Sequence, residues 1–89
     1  MVMEQAEEAL RKLQVPDWVE RLTIERYRDH ADDLALRIWV VVKPDRLSIL
    51  EDDDAVPDIS EQVRAAIRAT GIELFPYVEF ISADAPEVA

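Results

Sequence analysis

The stretch of sequence that decides the fold reads LALRIWVVVK and spans residues 34–43. Its even positions are all aliphatic, whereas its odd positions mix small, aromatic, aliphatic and basic residues, Trp39 and Val41 among them. Successive side chains of a β-strand point to opposite faces, so this period of two predicts a strand with one face wholly inside the core. The other face is partly apolar as well, and something is expected to cover it.

A second alternating stretch precedes it at about residues 20–28, with Leu22 and Ile24 on one side. The other side of that stretch carries Thr23, Glu25 and Tyr27. Between the two strands lies DHADD, residues 29–33, which is rich in the aspartates that favour turns. Two strands joined by so short a loop predict an antiparallel hairpin.

Two helices are predicted, one before and one after the hairpin. Residues 2–14 place apolar side chains at three- and four-residue steps, and Pro16 ends that helix. The second helix is expected to begin at the N-cap Asp58, which forms a variant of the capping box with Glu61. It is expected to end at Gly71, the only glycine in the chain, which suits a left-handed C′ position.

A third strand is predicted over residues 72–81, where Pro76 cannot donate to a ladder and therefore indicates an edge strand or a bulge. The order helix, strand, strand, helix, strand predicts a two-layer α+β domain. We expect a small mixed three-stranded sheet with both helices on its even-numbered face. Residues 1–81 are expected to form one domain, and residues 82–89 a flexible tail.

Composition limits the classes of partner. The 89-residue chain is 49% hydrophobic and has a formal net charge of −10, which disfavours nucleic acid and anionic membranes. A basic partner, or an apolar one inside an acidic rim, fits better. Without cysteine there are no disulfides, zinc–thiolate sites or thiol nucleophiles. No signal-peptide pattern and no apolar run of membrane-spanning length are seen, so a cytoplasmic protein is expected.

The hairpin loop holds the only histidine of the chain, surrounded by three carboxylates, so Asp29, His30 and Asp33 are candidate catalytic residues. The same composition is also typical of a plain turn, and no second histidine completes a site. The acidic run at residues 51–54 lacks the spacing and the glycine of a calcium loop. A single glycine leaves no phosphate-binding loop, and neither a metal nor a cofactor is predicted.

The odd-numbered face of the predicted sheet is the candidate partner-binding surface. Its members are Trp39, Val41, Phe75, Tyr77 and Ile81, provided that the second and third strands are neighbours. The three aromatic side chains together carry roughly 450–750 Å², as much as or more than the largest apolar patch of an ordinary monomer. Two covers are open: the N-terminal helix, or a second chain, identical or different.

Residues 34–42 and 71–80, taken with their spacing, resemble small bacterial proteins of toxin–antitoxin-like gene pairs, over about residues 20–81. This resemblance implies an antitoxin-like protein that holds a protein partner. The element order also resembles the core of minimal nucleotidyltransferases, which carry a Gly-Ser phosphate loop and an Asp-x-Asp metal pair. Here the corresponding hairpin has neither glycine nor serine, and Asp32 and Asp33 are adjacent. The second resemblance therefore implies a degenerate relative that only binds.

The sequence thus predicts a non-enzymatic protein-interaction module that associates with itself as a homodimer, or binds a protein partner, through the apolar sheet face. Two alternatives stay open. One is a metal-dependent enzyme that uses the loop from Asp29 to Asp33. The other is an acidic mimic of nucleic acid, in which carboxylates stand in for phosphates against a basic partner.

Overall fold

A computed structural model describes residues 2–84, and the elements follow one another in the predicted order. These elements are α1 (Val2–Lys12), β1 (Val19–Arg28), β2 (Leu34–Val42), a 3₁₀ segment (Pro44–Glu51), α2 (Ala55–Ala69) and β3 (Pro76–Ser82). The predicted α+β class, with helices beside a small mixed three-stranded sheet, is confirmed.

β2 is the central strand of the sheet. β1 pairs with it antiparallel through the five-residue loop, and β3 pairs with its other side in parallel. Trp39 consequently lies between Thr23 of β1 and Glu79 of β3. β3 is an edge strand and Pro76 is its first residue, a position where proline is tolerated because its missing N–H weakens no central ladder.

The core lies between the sheet and the two helices, as predicted. After Leu34, which is 46% exposed at the start of β2, the even-numbered side chains of the strand are all 0% exposed: Leu36, Ile38, Val40 and Val42. They pack against buried side chains from α1 and α2, namely Ala6, Leu10, Ile59, Val63 and Ile67. We call this side of the sheet the helix face. Burying each of the larger aliphatic side chains stabilises the fold by about 1.5–3 kcal/mol.

Trp18 is a core residue that the sequence pattern did not identify. The segment around it was predicted only as a turn after Pro16, yet Trp18 is 5% exposed and belongs to the same apolar cluster. Its carbonyl oxygen accepts a hydrogen bond of 3.0 Å from the Lys43 N–H. The turn therefore closes the core where β2 ends.

The start of α2 differs from the prediction. The helix begins at Ala55, so the predicted start at Asp58 is wrong. Asp54 is the N-cap and its own side chain makes no capping hydrogen bond; Asp52 Oδ1 instead accepts hydrogen bonds from the N–H groups of Asp54 (2.9 Å) and Ala55 (3.1 Å). Pro57 accounts for the late predicted start of the helix. Proline is excluded from helix interiors, but it is allowed in the first turn, where Pro57 lies.

The other boundaries shift by a few residues. α1 ends at Lys12 instead of residue 14, and β3 begins at Pro76 instead of residue 72. Gly71 has φ +84° directly after α2, as predicted for its C′ position. Ser82, the first residue of the predicted tail, belongs to β3, and residues 85–89 of that predicted tail lie outside the described part of the chain.

None of the helices within residues 2–84 is long and apolar enough to cross a membrane.

Candidate interaction face

The open face is the side of the sheet that points away from both helices. Strand alternation and register place on it Thr23, Glu25 and Tyr27 of β1, Ala35, Arg37, Trp39 and Val41 of β2, and Tyr77, Glu79 and Ile81 of β3. α1 packs beside α2 on the helix face, so the helix is not the cover of the odd-numbered face. Within residues 2–84, no helix or strand lies across the open face.

Three aromatic rings form a continuous edge-to-face chain at one end of the open face. The Phe75 and Tyr77 ring centroids are 4.7 Å apart at an interplanar angle of 67°. Tyr77 in turn meets Tyr27 at 5.6 Å and 76°. Edge-to-face pairs at these separations are attractive beyond their burial, so each ring helps to fix the next.

Arg37 lies at the centre of the open face and continues this chain. Its guanidinium carbon is 3.7 Å from the Tyr27 ring centroid and 5.4 Å from that of Trp39. Glu25 joins the same group, because its Oε1 accepts a 3.0 Å hydrogen bond from Trp39 Nε1 and lies 3.7 Å from Arg37 Nη1. Arg37 Nε is buried and has no hydrogen-bond partner within the described residues.

The residues predicted for partner binding do not contribute equally. Trp39, Tyr77 and Ile81 lie half-buried on the open face. Phe75 precedes β3 and is 54% exposed, which makes it the most exposed of the large hydrophobic side chains described. Val41 points to the same side but is only 4% exposed, because its neighbours cover it. Val41 therefore offers a partner little surface.

Six members of the open face were not predicted as site residues, and three of them make the contacts described above: Glu25, Tyr27 and Arg37. The signal for them was present, because the predicted hairpin opposes the odd side of β1 to the odd side of β2. The exact register was missing, and it places Glu25 opposite Arg37 and Tyr27 opposite Ala35. From the sequence alone, an arginine at an odd strand position is expected to be solvated. In the structure, the Arg37 guanidinium lies over the Tyr27 ring.

The hairpin loop is organised by Asp29. Its Oδ1 accepts hydrogen bonds from the N–H groups of Ala31 and Asp33, both at 3.0 Å, and its Oδ2 accepts one of 3.0 Å from the Tyr77 hydroxyl. The Asp33 N–H is the largest influence that lowers the pKa of Asp29 below its usual range, and Tyr77 adds to it against partial desolvation. The same hydroxyl contact raises the pKa of Tyr77. The turn also has Asp32 at φ 62°.

These contacts bear on the candidate catalytic residues. Both oxygens of the Asp29 carboxylate already accept hydrogen bonds from the fold, while His30 and Asp33 are exposed. No three His, Asp or Glu side chains in residues 2–84 are arranged to hold a metal ion. A groove of about 530 Å³ lies between α1 and α2, away from the loop. The loop geometry is accounted for by turn formation and by its contact with β3.

No family model, curated protein sequence or solved structure matches the chain. The chemistry of the open face is therefore the basis for a functional proposal.

Proposed function

We propose that this domain is a non-enzymatic protein-interaction module that docks another protein chain on its open face. The observation that carries the proposal is a continuous row of aromatic and arginine side chains on a sheet face that no described helix or strand covers. This aromatic strip consists of Phe75, Tyr77, Tyr27, Arg37 and Trp39. Two-layer α+β domains with one solvated sheet face usually carry polar side chains there. Here the solvated face carries Trp39, Tyr27 and Tyr77 instead.

The side chains of this strip are the types that dominate binding energy in protein interfaces. Tryptophan, tyrosine and arginine are enriched among the residues whose truncation costs most, because each combines a large apolar surface with a polar group. In the open face the polar groups are already oriented: Trp39 by Glu25, and Tyr77 by Asp29. A partner would therefore meet a surface that loses little conformational freedom on binding.

Arg37 gives the strip a charged hydrogen-bond donor, for which a partner would have to supply an acceptor. The Arg37 side chain is 25% exposed, and a carbonyl or carboxylate oxygen of a partner would accept a hydrogen bond from an accessible N–H of the guanidinium, an interaction that contributes about 1.5–3 kcal/mol. The rings of Tyr27 and Trp39, whose centroids lie 3.7 Å and 5.4 Å from the guanidinium carbon, would shield the new hydrogen bond from water.

The charge distribution favours a protein over a nucleic acid. The chain has a net charge of −10, yet the central charged groups of the open face, Arg37, Glu25 and Glu79, nearly balance. The excess acid lies outside these groups, on several elements of the fold, where it repels phosphates and favours a partner with basic groups. The partner is a second copy or a different chain; the resemblance to toxin–antitoxin-like pairs makes a toxin-like protein the heteromeric form. The cysteine-free sequence suits a cytoplasmic setting.

The test compares Trp39→Glu with the matched control Leu47→Glu. Leu47 is 39% exposed on the 3₁₀ segment that packs on α2, so it presents a comparable apolar side chain away from the open face. Molar mass by light scattering is measured first for the wild type and both variants. Affinity capture with the three proteins as bait follows, with the captured proteins identified by mass spectrometry.

We expect the wild type and Leu47→Glu to have a higher molar mass than Trp39→Glu, or to capture at equal stoichiometry a protein that Trp39→Glu does not capture. A charge placed in the centre of a desolvated interface should weaken binding by at least about a hundredfold. If the three proteins have equal molar masses and also capture the same proteins, or capture none, the open face is not a docking surface.

A further inference from the structure

The two edges of the sheet are protected very differently. β1, the edge next to α1, carries five charged side chains along its length, which are Glu20, Arg21, Glu25, Arg26 and Arg28. It also has a register irregularity between Val19 and Arg21. Charges and bulges of this kind discourage the addition of another strand. β3, the other edge, has a single charged residue, Glu79, after its initial proline.

The backbone of β3 presents hydrogen-bonding groups outward at regular steps. Leu36 N–H donates to the Phe75 carbonyl (3.0 Å), and Ala83 N–H donates to the Val42 carbonyl (2.9 Å). In a parallel ladder with these two ends, the odd-numbered residues of β3 bond to β2. The N–H and C=O groups of the even-numbered residues Val78, Phe80 and Ser82 therefore point to the outer edge.

The helix layer does not seal this edge. On β2 the residues that face the helices, such as Ile38 and Val40, are 0% exposed. The corresponding residues of β3, Val78 and Phe80, pack against the same core but remain only half-buried. Apolar side chains therefore reach solvent just where the outward backbone groups lie.

We propose that a second copy of this chain pairs antiparallel along β3 and extends the sheet to six strands. The inference goes beyond the proposed function, because it uses the edge of the sheet and not its open face. The edge is self-complementary when the twofold axis passes through Phe80. The outward groups of Val78 then meet those of Ser82 of the second copy, and Phe80 meets its own equivalent, which allows up to about six main-chain hydrogen bonds.

Glu79 selects this register over its neighbour. With the axis at Phe80, each Glu79 lies opposite Ile81 of the second copy. In the neighbouring register the twofold axis passes through Glu79. The two Glu79 carboxylates then face each other directly, which is destabilising. A twofold axis perpendicular to the sheet also puts both open faces on the same side. The dimer thus presents the docking surface of the proposed function twice.

Electrostatics sets the conditions for observing the dimer. Each copy carries a net charge of −10, so the two repel each other at low ionic strength. Because the paired edge contributes few charges of its own, salt screens the repulsion and leaves the main-chain hydrogen bonds in place. The dimer should therefore strengthen as salt is added.

Single-cysteine crosslinking tests the pairing cleanly, because the chain has no native cysteine. The variants are Glu79→Cys, Ile81→Cys and, as a control on the same sheet face at the far edge, Thr23→Cys. Each is oxidised alone and in pairwise mixtures with diamide at about 0.5 M NaCl, where screening is strong. The mixture of Glu79→Cys and Ile81→Cys should yield about tenfold more disulfide-linked dimer than either alone, because only directly opposed positions lie within disulfide reach while diagonal ones are about 7–8 Å apart.

Two results would overturn the proposal. One is a mixture that crosslinks no better than its components, or Glu79→Cys alone crosslinking best. The other is loss of the mixed disulfide when Trp39→Glu is added to both variants, since this would place the contact on the open face. Persistence of the mixed disulfide in that background supports the edge pairing even if the open face binds nothing. Circular dichroism of each variant, matched to the wild type, accompanies the comparison.

Discussion

The two faces of β2 are built from alternate residues of one strand, yet they have opposite properties. Ile38 is 0% exposed between the helices, and its chain neighbour Trp39 is half-buried on the open face. The helix face of the strand is wholly aliphatic, whereas the open face combines tryptophan with Arg37 and their partner Glu25. Aliphatic packing is non-directional, while the contacts of the open face have defined partners and angles.

This difference separates stability from recognition. An apolar layer shielded by two helices contributes to the free energy of unfolding and offers nothing to a partner. A layer of half-exposed rings, oriented by hydrogen bonds, contributes less to stability and retains surface that binding can bury. A substitution on one face should therefore affect stability mainly, and a substitution on the other should affect association mainly.

The largest expected effect is that of Ile38→Ala on the helix face. Removing three carbons from a fully buried site leaves a cavity, and such changes cost about 2–5 kcal/mol. A domain of this size has only about 5–10 kcal/mol to lose, so a large part of its stability should disappear. Urea denaturation followed by circular dichroism measures the change. A loss below about 1 kcal/mol would mean that the helix face is far less tightly packed than described.

Trp39→Ala should have a smaller effect on stability, of about 1–2 kcal/mol, because the lost contacts are partly exposed and no closed cavity forms. The same urea experiment gives the comparison with Ile38→Ala, with an unchanged denaturant dependence as the check that both variants unfold from similar compact states. If Trp39→Ala destabilises the isolated domain more than Ile38→Ala does, the open face is part of the core and the separation fails.

Most of the fold could be predicted, because the alternation in residues 34–43 is strong and Gly71 marks a helix end. The helix boundary at residue 55 could not be. Four acidic residues precede it, and only the three-dimensional hydrogen bonds reveal that the Asp52 carboxylate is the one that accepts from the N–H groups at the helix start. Trp18 was missed for a related reason: a lone aromatic after Pro16 has no periodicity, so its burial depends on tertiary packing alone.

The candidate site could be predicted only in outline. Trp39, Tyr77 and Ile81 were placed on the correct side because strand alternation fixes the face. The role of Arg37 depends on the register between β1 and β2, which sequence alternation cannot provide, since every shift by two residues preserves the pattern. The link between Tyr77 and Asp29 joins residues 48 positions apart. Contacts of that range depend on the strand order and on the registers of both strand pairs.

Asp52→Ala tests how much the side-chain hydrogen bonds at the start of α2 stabilise the helix that covers the helix face. Removing the carboxylate leaves the N–H groups of Asp54 and Ala55 without their acceptor, and the loss of such a cap costs about 1 kcal/mol. Asp58→Ala is the matched control, because Asp58 lies inside the first turn and was predicted as the cap. Urea denaturation should show a clearly smaller loss for Asp58→Ala. A larger loss of stability for Asp58→Ala than for Asp52→Ala would support the helix start at Asp58 that was predicted from sequence.

The smallest effect is expected from removing the Tyr77 hydroxyl, which tests whether its hydrogen bond to Asp29 helps to order the open face. Tyr77→Phe removes the hydrogen bond to Asp29 Oδ2 and leaves the two ring contacts in place. The pKa of Asp29 should rise towards its ordinary value of 3.8 but stay below it, because the stronger hydrogen bond from the Asp33 N–H remains. Carboxyl-carbon NMR as a function of pH measures this pKa, and Tyr27→Phe, whose hydroxyl has no described contact with Asp29, is the control.

The sign of the accompanying stability change follows from the same pKa. A carboxyl whose pKa is lowered in the fold contributes stability above its unfolded pKa, and that contribution is lost as the pH falls through the folded pKa. Tyr77→Phe should therefore reduce the contribution at neutral pH and make the loss between neutral and acid pH shallower than in the wild type. Tyr77 itself has a raised pKa, so its contribution is present below pH 10 and is lost above it. An unchanged Asp29 titration in Tyr77→Phe would show that the hydroxyl does not bind the loop in solution, and that the aromatic strip is not anchored at the hairpin end.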